Sequence, residues 1–102
     1  MLENFLSDPV AVERRRAGEL GPYLDSFTAT VSELGYARST VRERLRVLAE
    51  LERWLQRKHL AVGALDEQVV KQFLDKRRRQ GRLRRCASRT VHHFLEHLRE
   101  KG

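Results

Sequence analysis

The sequence has few of the residues that cross-link a chain or interrupt its helices, namely cysteine, proline and glycine. Its single cysteine, Cys86, excludes an intramolecular disulfide, and a reducing cytoplasm is the expected compartment. Two prolines and six glycines, with 40% hydrophobic residues, exclude a disordered low-complexity chain. No apolar run approaches the ~20 residues that a membrane-spanning helix needs, and the N-terminus lacks the basic start of a signal peptide. We therefore expect no membrane partner.

Strand patterns and catalytic motifs are missing as well. No segment alternates apolar and polar residues with a period of two, as strands do. There is no glycine-rich phosphate loop, zinc-protease motif or nucleophile elbow. His92, His93 and His97 have no carboxylate or cysteine at a convincing ligand spacing, so we expect surface histidines without metal or cofactor. These absences favour a binding domain over a free-standing enzyme.

Four segments of the chain are predicted to form helices. In the first two, apolar residues recur at helical spacing. One helix is predicted to begin at Gly21-Pro22 and to end before Gly35. A longer helix is predicted over Ser39 to His59, with Thr40 and Glu43 in a capping-box pattern. The apolar residues assigned to their buried faces are Leu24, Phe27, Val31 and Leu34, then Val41, Leu45, Leu48, Leu51 and Leu55.

Two further helices complete the predicted fold. Asp66 is a plausible N-cap for a helix from Glu67 to about Arg79, with Val70, Phe73 and Leu74 facing inward. The last helix starts as early as Arg82 or is capped by Ser88. The prediction is an all-α bundle of four principal helices with short connections. Its expected core contains Phe27, Leu48, Leu51, Trp54, Leu55, Phe73 and Phe94.

Residues 1–18 are interpreted as a lead-in to this bundle. Ser7 or Asp8 could cap a short helix that has Pro9 at its first position and Gly18 beyond its end. The ERRR run in this segment has little apolar backing. We therefore expect the lead-in to be loosely held.

The positive charge is concentrated in the second half of the chain. Residues 1–51 hold seven Lys or Arg against eight Asp or Glu, whereas residues 52–102 hold fourteen against six. Seven of the ten residues in KRRRQGRLRR, residues 76–85, are basic. The helix dipole accounts for a few cations at a helix end, but seven favour an anionic partner that relieves their repulsion.

A second basic feature lies on the predicted long helix. Its arginines form a stripe roughly opposite the apolar face, although nearby glutamates could pair with some of them and leave an ordinary solvated surface. The stripe consists of Arg42, Arg46, Arg53 and Arg57, extended by Arg38. Ser39 and Thr40 stand at the helix start, where hydroxyl and amide groups can cap the helix and also bind a phosphate.

These residues resemble a known module. The segment GYARSTVRERLRVLAELERWL is similar to part of the phage integrase or tyrosine recombinase family, and KQFLDKRRRQGR and FLEHLREKG are similar to later family patterns. The resemblance covers residues 19–102 and implies the N-terminal, SAM-like core-binding domain, four helices that clamp one face of duplex DNA. The residues that carry the first match are Gly35, Tyr36, Thr40, Val41, Leu48, Trp54 and Leu55.

The sequence departs from the family pattern in three places. Ala37 stands where serine is common, and the segment before the fourth helix is rich in arginine. The catalytic half, with its His-x-x-Arg box and nucleophilic tyrosine, is missing, so we expect a fragment that is not an enzyme by itself.

The expected partners are double-stranded DNA, the catalytic domain of the parent chain and further copies of the full-length protein on DNA. The resemblance implies a cytoplasmic, nucleoid-associated protein of bacterial or phage origin.

The charge pattern and the resemblance together select candidate DNA contacts. Most would touch phosphates, and one or two could reach base edges. The candidates are Arg38, Ser39, Thr40, Arg42, Arg46, Arg77, Arg78, Arg82, Arg84, Arg85 and Arg89. Two other functions stay open at this point, a helical protein-interaction module and a helix-turn-helix regulator.

Overall fold

The computed structural model describes residues 2–81 and 86–101, which contain five α-helices and no strand. The protein measures 32 × 27 × 25 Å along its principal axes. Two short 3-10 helices, Leu2–Asn4 and Val62–Ala64, precede α1 and α4. The helices are α1 (Pro9–Ala17), α2 (Gly21–Glu33), α3 (Arg38–Arg57), α4 (Glu67–Arg79) and α5 (Ala87–Lys101). The all-α bundle predicted from the sequence is confirmed.

The long helix α3 is the centre of the packing and contacts α2 and α5. All five residues of its predicted apolar stripe are buried. Trp54 packs edge-on against Phe73 of α4, with ring centroids 5.6 Å apart. Phe27 of α2 meets Phe94 of α5 in the same way at 5.3 Å. All seven residues of the expected core are buried, so helical spacing identified the core correctly.

Local signals define several helix ends as predicted. The Asp8 side chain accepts the N–H of Val10 at the start of α1, and the Asp66 side chain accepts the N–H of Val69 at the start of α4. Gly35 follows α2 with φ of 86°, and Gly81 follows α4 with φ of 68°. This left-handed conformation suits glycine, which has no Cβ, and it redirects the chain after each helix.

The sequence left the exact starts of α3 and α5 open, and the caps that it suggested for them do not form. The N-cap of α3 is Ala37 in an extended conformation, so the helix starts at Arg38 and the capping box at Thr40 does not form. The carbonyl of Cys86 accepts the N–H of Thr90, and α5 starts at Ala87. Ser88 therefore lies inside the helix, while Arg82, the other predicted start, lies outside the described residues.

The expectation of a loosely held lead-in is also wrong. Leu2 is fully buried, and Val12 of α1 belongs to the same core cluster as α3. Arg15 donates to the carbonyl of Leu45 over 2.7 Å, so α1 is fastened to the middle of α3. Burial lowers the pKa of Arg15, while its guanidinium stays hydrogen-bonded to this carbonyl.

A carboxylate of α3 completes this attachment. Glu52 accepts the backbone N–H of Leu20 over 2.9 Å, just before α2 begins.

Leu34 is the one exception among the predicted inward residues of α2, since 61% of it is exposed after the helix has ended at Glu33. Nowhere in residues 2–81 and 86–101 is a helix both long enough and apolar enough to cross a bilayer.

Candidate nucleic-acid interface

The face of α3 opposite the core is lined with exposed arginines, as the sequence predicted. Arg42, Arg46, Arg53 and Arg57 are all exposed. Arg46 pairs with Glu43 over 3.4 Å, a surface pair that solvent weakens. Among the described residues, the other three arginines form no ion pair. Most of this stripe is therefore available to an external anion.

The first two turns of α3 form a small cleft. Ser39, Arg42, Glu43 and Arg46 line this open space of about 220 Å³. Three of the four are residues selected from the sequence as DNA contacts. Arg38, at the first helical position, is exposed as well, and its guanidinium carbon lies 6.0 Å from the centre of the Phe5 ring. With Thr40, the N-terminal half of α3 thus contains five of the candidates.

A larger open pocket of about 730 Å³ lies between the starts of α3 and α5. We name it the α3–α5 pocket. Thr40 of α3 and Arg89 of α5, both sequence candidates, face it from opposite helices. Its described lining consists of Tyr36, Thr40, Arg44, Cys86, Ser88 and Arg89. The fold therefore brings together candidate residues that are almost 50 positions apart in the chain.

Arg44 was missed by the sequence analysis. Only 3% of this residue is exposed, and its guanidinium carbon lies 4.3 Å from the centre of the Tyr36 ring. The sequence position of Arg44 could have revealed its burial, because it lies three residues after Val41 and four before Leu48, both on the buried face. A cation at such a position predicts either a buried pair or a site.

The basic C-terminal end of α4 does not line the α3–α5 pocket. Arg77 is half-buried, with its guanidinium 5.6 Å from the centre of the Phe73 ring. Arg78 is exposed and lies 3.6 Å from the carboxylate of Asp75. Both are absent from the pocket's described lining. Three other candidates, Arg82, Arg84 and Arg85, lie outside the described residues.

The histidines are divided between surface and core. His92 is exposed, and its Nδ1 lies 2.7 Å from the carbonyl of Ser88. His97 is 3% exposed, contrary to the expectation of a surface residue. Its Nε2 lies 2.8 Å from the Ser26 hydroxyl, and its ring packs edge-on against Phe27. This contact joins α5 to α2 and explains why a polar ring is buried there.

The architecture is an all-α bundle with an arginine-lined face at the start of its longest helix. The model of the phage integrase N-terminal SAM-like domain matches residues 24–102. The chain belongs to this family, as the resemblance predicted, and is a domain of the site-specific recombinase class. The matched domain is not the catalytic one. No curated protein and no solved structure matches the chain.

Proposed function

We propose that this domain binds duplex DNA through the N-terminal halves of α3 and α5. The observation that carries the proposal is the presence of exposed arginines at two clefts, each of which is lined by residues from the first half of α3. Family membership favours this function over the helix-turn-helix and protein-interaction alternatives. The proposed contact face comprises Arg38, Ser39, Thr40, Arg42, Arg46 and Arg89.

Arginine suits this task because its planar guanidinium can donate two hydrogen bonds to one phosphate and always carries its charge. Contacts to phosphates supply affinity and fix the orientation of the duplex, without reading its sequence. The starts of α3 and α5 add the positive ends of two helix dipoles. One or two of the arginines could also reach base edges in the major groove.

We further propose that Arg77, Arg78, Arg82, Arg84 and Arg85 extend this face along the backbone. In the parent protein, the domain would cover one side of the recombination site while a catalytic domain of the same chain carries out strand exchange. Several copies of the full-length protein would assemble on the DNA, in the cytoplasm at the nucleoid. Residues 1–18 would serve as a helical extension of a core-binding domain over residues 19–102.

Duplex binding can be tested with a matched pair of charge reversals. Arg42→Glu with Arg46→Glu changes the proposed face, and Arg53→Glu with Arg57→Glu makes the same change at the same spacing further along α3. The second pair is a suitable control because Arg53 lines a different cleft, which already contains the Glu52 carboxylate. Binding of a labelled duplex is measured by fluorescence anisotropy over a series of salt concentrations.

With about five phosphate contacts, the slope of log K against log salt for the unaltered protein is expected near −4 to −5. The Arg42/Arg46 pair should lose at least about tenfold in affinity and about two units of slope, since each lost phosphate contact removes about one. The control pair should retain most of both. Equal losses for the two pairs would reject the proposed face, and a slope near zero in the unaltered protein would reject DNA binding.

The parent gene offers an independent test of the wider proposal. A downstream order of arginine, His-x-x-Arg and tyrosine in one reading frame is expected, because these groups supply the catalytic half of the family. A gene without that order would contradict strand exchange by a domain of the same chain. Duplex binding by this domain would be unaffected by that result.

A further inference from the structure

The α3–α5 pocket contains a buried cation whose hydrogen-bonding groups are incompletely satisfied. Arg44 is 97% buried, but its Nε and Nη1 have no hydrogen-bond partner among the described residues. The Tyr36 ring, 4.3 Å from the guanidinium carbon, attracts the positive charge through its π-face. A ring face does not replace the in-plane acceptors that the N–H groups need, so the site is incomplete as it stands.

The surroundings of Arg44 are suited to an oxyanion. Thr40 lies one helical turn before Arg44, and Ser88 stands at the second position of α5, so each helix brings a hydroxyl donor to the pocket. Arg89 supplies a second guanidinium at the exposed rim. The described lining contains no carboxylate that could neutralise these arginines. The missing acceptor is therefore expected from outside the protein.

The helix starts strengthen this electrostatic environment. Both α3 and α5 begin at the pocket, where unpaired backbone N–H groups and helix dipoles favour negative charge. The N-cap of α3 is Ala37, whose side chain makes no capping hydrogen bond. The first-turn amides of α3 therefore lack the usual acceptor from the protein side chain.

We propose that the α3–α5 pocket binds one phosphodiester group of duplex DNA, with Arg44 as the buried donor and Tyr36 as its aromatic support. This rests on the proposed function, because it takes the DNA backbone as the source of the phosphate. The open volume of about 730 Å³ exceeds that of one phosphate group and leaves room for the adjoining sugars. Arg44 would hold a single phosphate in place, whereas the exposed arginines contact the backbone more loosely.

The first experiment observes the pocket directly by NMR on the ¹⁵N-labelled chain. The signals are the Arg44 Nε–H group and the amides of Thr40 and Ser88. A short duplex is added in one titration and inorganic phosphate in another, with sodium chloride at equal ionic strength as the reference. We expect the duplex to shift all three signals, and phosphate to shift the same signals at higher concentration.

The possible results separate this proposal from the proposed function. Duplex binding that leaves the Arg44 signal unmoved would overturn the pocket while preserving DNA binding elsewhere. A response to inorganic phosphate but not to the duplex would overturn the DNA backbone as the ligand and indicate a free phosphate. Absence of any duplex binding would overturn the proposed function itself.

Substitutions provide a second test with a separate readout. Arg44→Met keeps much of the side-chain volume and removes the charge, and Arg57→Met makes the same change at an exposed position of α3. We expect Arg44→Met to lower duplex affinity about tenfold and the salt slope by about one, and Arg57→Met to change affinity less than about twofold. A folded Arg44→Met protein that binds with unchanged affinity and slope would overturn the proposal.

Arg44 is buried, so its substitution could also impair folding. Thr40→Val with Ser88→Ala tests the rim of the pocket instead, since these side chains are half-buried and exposed. This pair should lower affinity about threefold without a change in salt slope, because it removes neutral donors and no charge. Unchanged affinity in this pair, with the fold verified by circular dichroism, would exclude the hydroxyl contacts and contradict the site as proposed.

Discussion

The carboxylate of Asp25 and the guanidinium of Arg16 form an ion pair of 3.1 Å that joins α2 to α1. The same carboxylate accepts the backbone N–H of Leu2 over 3.0 Å. One side chain of α2 therefore holds both the first 3-10 helix and α1. The attachment adds polar contacts to the burial of Leu2 and Val12, and together these hold the N-terminal segment against the bundle.

This arrangement predicts a pH dependence of stability. The hydrogen bond from Arg16, followed by that from Leu2, lowers the pKa of Asp25 from 3.8 to about 2. A carboxyl with a depressed folded-state pKa stabilises the fold fully above its unfolded value, and the contribution is lost as the pH falls towards 2. Because both side chains are about 40% exposed, the contribution is about 1 kcal/mol after allowance for solvent.

The comparison is between the unaltered protein and Asp25→Asn, by urea denaturation from pH 7 to pH 2. We expect the variant to be less stable by about 1 kcal/mol at pH 7, with the difference shrinking between pH 4 and pH 2. A difference that stays constant down to pH 2 would mean that the ionised carboxylate is not responsible.

A backbone contact at Gly21 predicts a strong effect of a small substitution. A Cβ at this buried glycine would collide with the backbone carbonyl of Arg16, which cannot move aside as a side chain can. Gly21→Ala should therefore cost about 3 kcal/mol of unfolding free energy. Gly63→Ala is the control, because a Cβ there meets no atom within 4 Å among the described residues, and it should change stability by less than about 0.5 kcal/mol. Similar costs at both positions would contradict the packing of α1 against the start of α2.

The end of α2 gives a third prediction. Val31 is 1% exposed, whereas Leu34 is 61% exposed, although helical spacing assigned both to the core. Truncating Val31 to alanine should leave a cavity and cost about 2 kcal/mol, while Leu34→Ala should cost less than about 0.5 kcal/mol. Thermal and urea unfolding of the two variants measure the difference. Comparable losses would mean that Leu34 contributes to the core after all.

Helical spacing predicted the core because apolar residues and buried positions coincide along most of α3 and α4. The prediction failed where a polar residue occupies a buried position of a helix. His97 was assigned to the surface by its polarity and Arg44 was not considered, but both stand three or four residues from buried apolar side chains. Their burial depends on Tyr36 and Ser26, partners from other segments that a single helical pattern cannot reveal.

Helical spacing also predicted part of the candidate site. The arginine stripe of α3 follows from spacing alone, and its exposure is confirmed. The juxtaposition of Thr40 with Arg89 follows only from the packing of α3 against α5. The contribution of each candidate to DNA binding stays a prediction.

The burial of Leu2 and Val12 has a consequence for chimaeras between recombinases. The family match begins at Leu24, but a graft cut there would remove three apolar side chains, Leu2, Val12 and Leu20, from the core. It would also remove Arg15 from α3 and leave Glu52 without the Leu20 amide. A transplanted domain should therefore include α1, because the segment that matches the family is shorter than the segment that packs into one core.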